Sequence, residues 1–92
     1  MKTFELSVMT PEKQFFSGSV EAVTVMGLDG EITVLADHAP MTVSLNIGEI
    51  RIKRDGEWIA AVNSEGFMEV LDNNVVVFVQ TCEKPEEIDV RR

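Results

Sequence analysis

The side chains able to do chemistry are few in this sequence and widely spaced. His38 is the one histidine and Cys82 the one cysteine, which excludes a multi-histidine metal site and a paired-cysteine zinc or redox site. A serine triad can be written with Ser64, His38 and Asp37, but an adjacent aspartate and histidine are poorly placed for it. No nucleophile-elbow sequence surrounds the serine. The sequence therefore predicts no catalytic residue, no metal site and no cofactor.

The segment from Gly30 to Met41 holds the remaining polar candidates. Glu31 follows a turn and is typical of an exposed strand edge, and His38 before Ala-Pro is typical of a solvated turn residue. The two residues lie at opposite ends of one short predicted strand and corner. We expect Glu31 and His38 to be close together on one exposed end of the domain.

Short stretches of alternating apolar and polar residues position these candidates. They are broken by turn residues about every 8–12 positions, the rhythm of a β-sandwich or barrel. The strongest turn signal is Asp55-Gly56, a pair typical of a tight hairpin with positive φ. The predicted strands cover residues 4–8, 13–17, 20–26, 31–35, 41–46, 49–54, 58–62, 67–71 and 75–80, with residues 17–19 as the exit of the second. The chain is therefore expected to be all-β.

The same alternation predicts which side chains point into the core. Before the Asp-Gly hairpin, Ile50 and Ile52 are expected to face inward. After it, the inward residues are expected to be Trp58, Ala60 and Val62.

Composition limits the partners. The stretch of residues 75–79 is apolar on both faces, which is typical of a strand that lies centrally or beneath a partner. No apolar run in the sequence exceeds five residues, far short of the about 20 that a membrane helix needs. The formal net charge of −8 argues against nucleic acid and against anionic lipid headgroups. An acidic chain is better matched to a basic protein partner.

The last residues have a different character. Pro85, followed by Glu86 and Glu87, is typical of the first turn of a helix. Fewer than about 12 residues are marginal as an isolated helix. We expect one β-sandwich domain over residues 1–83 and the start of a C-terminal helical segment over residues 84–92.

Several stretches, in order along the chain, resemble the N-terminal domain of the epsilon subunit of F-type ATP synthases. They are residues 4–13, 16–21, 30–41, 48–52, 63–70 and 74–80. The third is similar to the family pattern Gly-Glu-Leu-Gly-Ile, two residues, Gly-His-Ala-Pro-Leu, although residues 35–37 replace the usual Pro-Gly before histidine. Glu65 stands where the family has a second glycine. The resemblance implies a flattened β-sandwich of about ten short strands.

The resemblance also implies a function. The chain would be a non-catalytic rotor subunit that couples the gamma subunit of the central stalk to the membrane c-ring during proton- or sodium-driven ATP synthesis. It would be part of a hetero-oligomer at the cytoplasmic face of the bacterial plasma membrane. It would be held at the membrane by the rest of the complex, without inserting into the membrane itself. It would bind no nucleic acid.

The resemblance also implies site residues, at the positions of this sequence that match the motifs of the family. Three residues are expected to face the polar loops of the c-ring: Asp29, Glu31 and His38. Four are expected to face gamma: Thr10, Met41, Val43 and Leu45.

The tail resembles the first part of a motif that helps some bacterial members to bind ATP on a C-terminal helical hairpin. The matching positions are Glu83, Ile88, Asp89 and Arg92. Because the chain stops before such a hairpin, the resemblance implies weak or absent ATP binding. It also implies assembly without the inhibition of ATP hydrolysis that the helices of a full-length form would supply.

Two other functions stay open at this point. One is a stand-alone β-sandwich binding module for a protein or carbohydrate partner. Carbohydrate binding normally uses several exposed aromatic residues, whereas this chain has one Trp and no Tyr, and Trp58 is expected to face inward. The other is a small hydrolase whose activity would depend on His38. Tight association with gamma would separate the rotor subunit from the module.

Overall fold

The computed structural model describes residues 2–84, which form ten β-strands joined by turns and short loops. The strands are β1 (Phe4–Met9), β2 (Gln14–Val20), β3 (Ala22–Gly27), β4 (Gly30–Leu35), β5 (Met41–Leu45), β6 (Gly48–Arg54), β7 (Glu57–Asn63), β8 (Gly66–Leu71), β9 (Asn74–Val79) and β10 (Cys82–Glu83). The predicted helix start and the motif positions Ile88, Asp89 and Arg92 lie outside the described residues. Within residues 2–84, no helix is long and apolar enough to cross a bilayer.

The strands form one sheet that folds into two layers. Their order is β10-β7-β6-β3-β5-β8-β9-β1-β2, with β4 paired to β3 beside this path. In the described chain the two halves join through one pair, Gly27 with Leu45, between β3 and β5. At the far end β2 returns to β6, where the Arg54 guanidinium lies 5.5 Å from the Phe16 ring centre. The sheet is thus nearly closed, and the predicted all-β sandwich is confirmed.

Aliphatic side chains from both layers fill the core. Phe4, Leu6 and Val8 of β1 are buried, as their alternation predicts. Ile50 and Ile52 of β6 are buried too, so the inward face predicted for this strand is confirmed. With the inner faces used for packing, the outer faces and the two ends of the sandwich are left for partners.

Strand β7 has the opposite phase from the one predicted. Trp58 is 53% exposed, whereas Ala61 and Asn63 are buried. Ala60 and Val62 are only half-buried on the same side as the tryptophan. The prediction that Trp58, Ala60 and Val62 point inward is therefore wrong.

The hairpin turn accounts for this phase. Asp55 and Gly56 have φ of 54° and 79°, which confirms the tight turn. A two-residue turn pairs residues at equal distances from it, so Trp58 lies opposite Lys53. Directly paired residues project from the same face of a sheet. Because Lys53 points away from the core, Trp58 must do the same.

Strand β2 is longer than predicted. Residues 17–19 were expected to be its exit, but the pairing with β1 continues to Val20, and Gly18 pairs with Leu6. Glycine weakens a strand without ending it where the ladder persists on one side.

Strand β9 lies between β8 and β1, which confirms its predicted central position. Val75, Val77 and Val79 are buried in the core, while Val76 and Phe78 are half-buried on the outer face. The outer face of β9 is therefore partly covered as well, which agrees with the apolar residues on both of its faces.

Candidate functional site

One end of the sandwich is acidic. The turn between β3 and β4 carries the exposed residues Leu28 and Asp29, and Glu31 follows at the start of β4. Glu31 forms an ion pair with Arg51, whose Nε lies 3.7 Å from Oε1 of Glu49. We call Asp29, Glu31, Glu49 and Arg51 the acidic end. Three carboxylates and one guanidinium give it an excess of negative charge.

Two open hollows flank this end. One, of about 310 Å³, lies between β4 and β5 beside Asp29 and Glu31. The other, of about 570 Å³, is bounded by Gly66 and Phe67 of β8. Leu28 and Ser44 line both hollows, so the two adjoin. The surface there is concave and offers space beside the carboxylates for a loop of a partner.

The corner after β4 is a separate polar site. Asp37 has a φ of 65° and accepts a hydrogen bond from Lys2 Nζ at 2.7 Å. The backbone N–H of Asp37 donates to Asn73 Oδ1 at 2.7 Å, and Asn73 Nδ2 donates to Asp37 Oδ1 at 3.2 Å. The hydrogen bond and charge of Lys2, with a smaller effect of Asn73, hold the pKa of Asp37 below its usual range. The same contact raises the pKa of Lys2.

His38 belongs to this corner. Its Nδ1 lies 2.8 Å from the carbonyl oxygen of Ala39, and the nearby hollow is lined by Asp37, Asp72 and Asn73. The local hydrogen bond agrees with the assignment of a turn residue.

Glu31 and His38 therefore lie at opposite ends of β4. A strand rises about 3.3 Å per residue, so the four steps from Glu31 to Leu35 alone span about 13 Å. The prediction that Glu31 and His38 lie close together on one exposed end is wrong, because an extended strand carries its two ends apart. Glu31 and His38 are thus separated by the length of β4, and the assignment of His38 to the c-ring stays a prediction.

The residues of β5 expected to face gamma point mainly inward. Leu45 is 2% exposed, and Met41 and Val43 are half-buried against the core. Alternation leaves Thr42 and Ser44 on the outer face. Contact between the Leu45 side chain and a partner is therefore excluded by its burial, and the outward surface of β5 is formed by its hydroxyl residues.

Thr10 closes the turn after β1. Its hydroxyl and its backbone N–H both donate to the carbonyl oxygen of Lys13, at 3.2 and 2.9 Å. It is half-exposed at the end of the strand and lies three strands away from β5. At about 4.8 Å per strand, roughly 14 Å separates it from that strand.

Between Thr10 and β5 lies an apolar row that the sequence prediction missed. The rings of Phe67 and Phe78 are stacked with centroids 6.0 Å apart and an interplanar angle of 9°. Phe67 pairs with Ser44 of β5, and Phe78 with Met9 of β1. We call Met9, Phe78, Phe67 and Ser44 the aromatic row. With Met68 and Val70 assigned to the core, alternation along β8 would have placed Phe67 outside.

The three side chains of the possible serine triad, Ser64, His38 and Asp37, are not brought together. Ser64 Oγ accepts the backbone N–H of Thr81 at 2.8 Å, in the connection after β7, whereas His38 lies in the β4–β5 corner. Cys82 is buried on β10, and burial raises the pKa of its thiol to about 11, which makes it a poor nucleophile. Within residues 2–84, no three potential metal ligands cluster.

The exposed aromatics do not form one platform. Trp58 lies on the outer face of one layer, with Lys53 Nζ 6.0 Å from its ring centre. Phe67, which is 44% exposed, lies on the outer face of the other layer. A carbohydrate module needs aromatic rings on one surface, so the placement of Trp58 outside does not favour that function.

Comparisons with known proteins agree with this fold. A family model described as the β-sandwich domain of the ATP synthase delta/epsilon chain matches residues 3–85. The ATP synthase epsilon chain of Ruminiclostridium cellulolyticum is 47% identical over 92 residues, which is 100% of this chain and 69% of that protein. The one of Caldicellulosiruptor bescii is 42% identical and is covered to 67%. This chain thus spans about two thirds of the length of these relatives.

Solved structures give the same picture. A chain in the structure of OSCP, F1 and c-ring of Euglena gracilis mitochondrial ATP synthase superimposes with a TM-score of 0.89 at 27% identity. The match covers 95% of this chain and 56% of the Euglena chain. A chain in the central stalk and c-ring of Tetrahymena thermophila mitochondrial ATP synthase has a TM-score of 0.81 at 15% identity, which shows the shared fold.

Proposed function

The chain belongs to the ATP synthase delta/epsilon family, whose β-sandwich domain it matches over residues 3–85, and we propose that it is a rotor subunit of the synthase. In this function it binds the gamma subunit and rests on the polar loops of the c-ring, so that proton- or sodium-driven rotation of the ring reaches the central stalk. The similar Euglena chain comes from a structure that contains F1 and the c-ring. The chain would act at the cytoplasmic face of the bacterial plasma membrane, as one part of a hetero-oligomer.

The aromatic row carries this proposal. Phe67 leaves nearly half of its surface in water although it lies on a well-packed sheet, and it stacks on Phe78. Full burial of a phenylalanine side chain contributes about 1.5–3 kcal/mol, so covering the exposed part of Phe67 contributes roughly 1 kcal/mol. Thr10 and the outward Ser44 lie on either side of the ring pair. We assign this outer face, with Thr10 at its edge, to gamma.

The acidic end supports the second contact. Asp29 and Glu31 present carboxylates that line one of the hollows, which suits basic or amide groups on a polar loop. The acidic end lies at an end of the strands, and the aromatic row begins beside it at Ser44 and extends across the outer face to Met9. One domain can therefore contact both partners at once, as coupling requires.

In this function the chain contributes binding surfaces and no catalytic group. Glu83 is the one position of the partial nucleotide motif within the described residues, and it pairs with Val62 in β10.

Substitution of Phe67 by alanine tests the gamma contact. The F67A variant is expected to bind purified gamma at least about fivefold more weakly, because it removes the exposed ring of the stack. Binding would be measured by biolayer interferometry with gamma immobilised. Trp58→Ala is the matched control, since Trp58 is also an exposed aromatic residue but lies on the outer face of the other layer. Equal affinities of wild type and F67A, or equal losses in both variants, would contradict the assignment.

A further inference from the structure

Arg51 reaches Glu31 across an intervening strand. Arg51 of β6 lies opposite Thr24 of β3, and Glu31 of β4 lies opposite Met26 of the same β3 strand. Strands β6 and β4 are two sheet spacings apart, about 10 Å. The guanidinium can therefore meet the carboxylate only if the arginine side chain crosses the outer face of β3.

Thr24 leaves space for that crossing. It points to the outer face, yet it is 5% exposed, and its hydroxyl is hydrogen-bonded to that of Thr33 at 2.9 Å. Long basic side chains cover neighbouring surface with their methylene groups. An arginine stem lying over Thr24 accounts for the burial of this short polar residue on an outer face.

The crossing arginine binds two carboxylates. Its Nη2 pairs with Glu31 Oε2, and its Nε lies 3.7 Å from Glu49 Oε1. Glu31 Oε1 is left to accept a hydrogen bond from another molecule. The side chains of Glu31 and Glu49 are each about half exposed, so without the arginine they would sample several rotamers.

We propose that Arg51 is a positioning residue that orders Glu31 for docking on a polar loop of the c-ring. The inference rests on the proposed function and names the device that sets its acidic contact. Immobilising a rotamer-rich side chain on binding has a cost that corresponds to about threefold to tenfold in affinity. Arg51 removes that cost because Glu31 is already held in the free domain.

Charge and positioning predict opposite results for removal of this arginine. The acidic end has three carboxylates and one guanidinium, so Arg51→Gln makes it more negative by one charge. Attraction to a basic loop would then increase, and net charge alone predicts tighter docking. Positioning predicts weaker docking, because Glu31 loses its fixed orientation. The sign of the effect therefore separates the two explanations.

A double-mutant cycle tests the proposal. The chain bound to gamma would be titrated onto purified c-rings in nanodiscs, as wild type, R51Q, E31Q and the double variant. We expect R51Q to weaken docking about threefold to tenfold and E31Q to weaken it at least as much. In the E31Q background, R51Q should change affinity by less than about twofold, because Arg51 acts through Glu31. Arg51→Lys should restore part of the loss.

Lys53→Gln is the matched control, since Lys53 is an outward cation two residues further along β6. It should leave docking unchanged. Docking of R51Q that equals or exceeds wild type would overturn the proposal, and so would an equal loss in the E31Q background or in K53Q. If the wild-type complex fails to bind c-rings, the proposed function itself fails. If it binds and E31Q has no effect, only the role of Glu31 and its arginine is lost.

Discussion

At the residue scale, the β4–β5 corner shows how one polar side chain can hold two loops. Asp37 has a left-handed backbone, which aspartate and asparagine tolerate better than most residues. Its carboxylate and N–H join the corner to Asn73 in the β8–β9 turn and to Lys2 near the N-terminus. The contacts are exposed, so their contribution to stability is small and depends on ionisation.

Asp37→Asn isolates that charge, because asparagine keeps the left-handed conformation. Since the folded pKa of Asp37 is below its ordinary value of 3.8, its stabilising effect is present above pH 3.8 and is lost as pH falls through the lower folded value. The pKa of Lys2 is raised above its ordinary value of 10.5, so the contact is fully present up to pH 10.5 and is lost only as the pH rises further. D37N should therefore melt below wild type at pH 7, and the two should converge at pH 2. A difference in melting temperature that stays constant between pH 7 and pH 2 would show that the charge is irrelevant.

A sequence motif predicts the local environment of a site residue but not its neighbours across the sheet. The positions of Asp29 and Glu31 in an exposed acidic turn follow from the sequence, because turn residues and their exposure are local. The direction of Leu45 was missed because motif position says nothing about the face of a strand. The pairing of Glu31 with Arg51 was also missed. It depends on an arginine side chain that crosses β3 to reach a residue twenty positions away in the sequence.

At the element scale, strand phase separates the correct predictions from the wrong ones. β1 and β6 alternate clearly between apolar and polar residues, and their inward faces were predicted correctly. In β7 the stretch of residues 58–62 is entirely apolar, so alternation alone does not show which of these side chains point into the core. The Asp55-Gly56 turn contains the missing information, because it places Trp58 opposite Lys53. Counting from the turn would have given the correct face.

The entry into β8 depends on close contact with β9. A Cβ added to Gly66 would lie 2.0 Å from the carbonyl oxygen of Phe78 and 2.8 Å from Val79 Cα. These are backbone atoms, so the two strands would have to separate. The resemblance drew attention to Glu65 as a missing glycine, yet Gly66 is the position where space is lacking.

Gly66→Ala should lower the free energy of unfolding by about 1–3 kcal/mol, the usual cost of overpacking. Urea unfolding followed by the fluorescence of Trp58 would measure it. Glu65→Ala serves as the control, because this neighbouring side chain is exposed and should change stability by less than about 0.5 kcal/mol. A G66A domain as stable as E65A would show that the strands yield more easily than the contacts imply.

At the scale of the whole molecule, the two proposed contacts adjoin at Ser44, which lines both hollows beside the acidic end. The aromatic row occupies the outer face of the layer that contains β5, β8, β9 and β1, and the acidic end lies at one end of the strands. The outer face of the other layer carries Trp58 and Lys53. The ordered motifs were sufficient to predict the fold and the family. The positions of the aromatic row and the acidic end relative to each other could be derived only from the strand register.

The most direct test of the rotor function is cysteine cross-linking in the assembled complex. Positions 31 and 67 would be changed one at a time, as E31C and F67C, against cysteines in the c-ring loop and in gamma. Native Cys82 adds little background, because it is buried and its thiol pKa is raised to about 11. W58C, on the opposite outer face, is the control. We predict that E31C links to the c-ring, F67C to gamma and W58C to neither. Cross-links of W58C to gamma with none from F67C, or of E31C to gamma and not to the ring, would contradict the account.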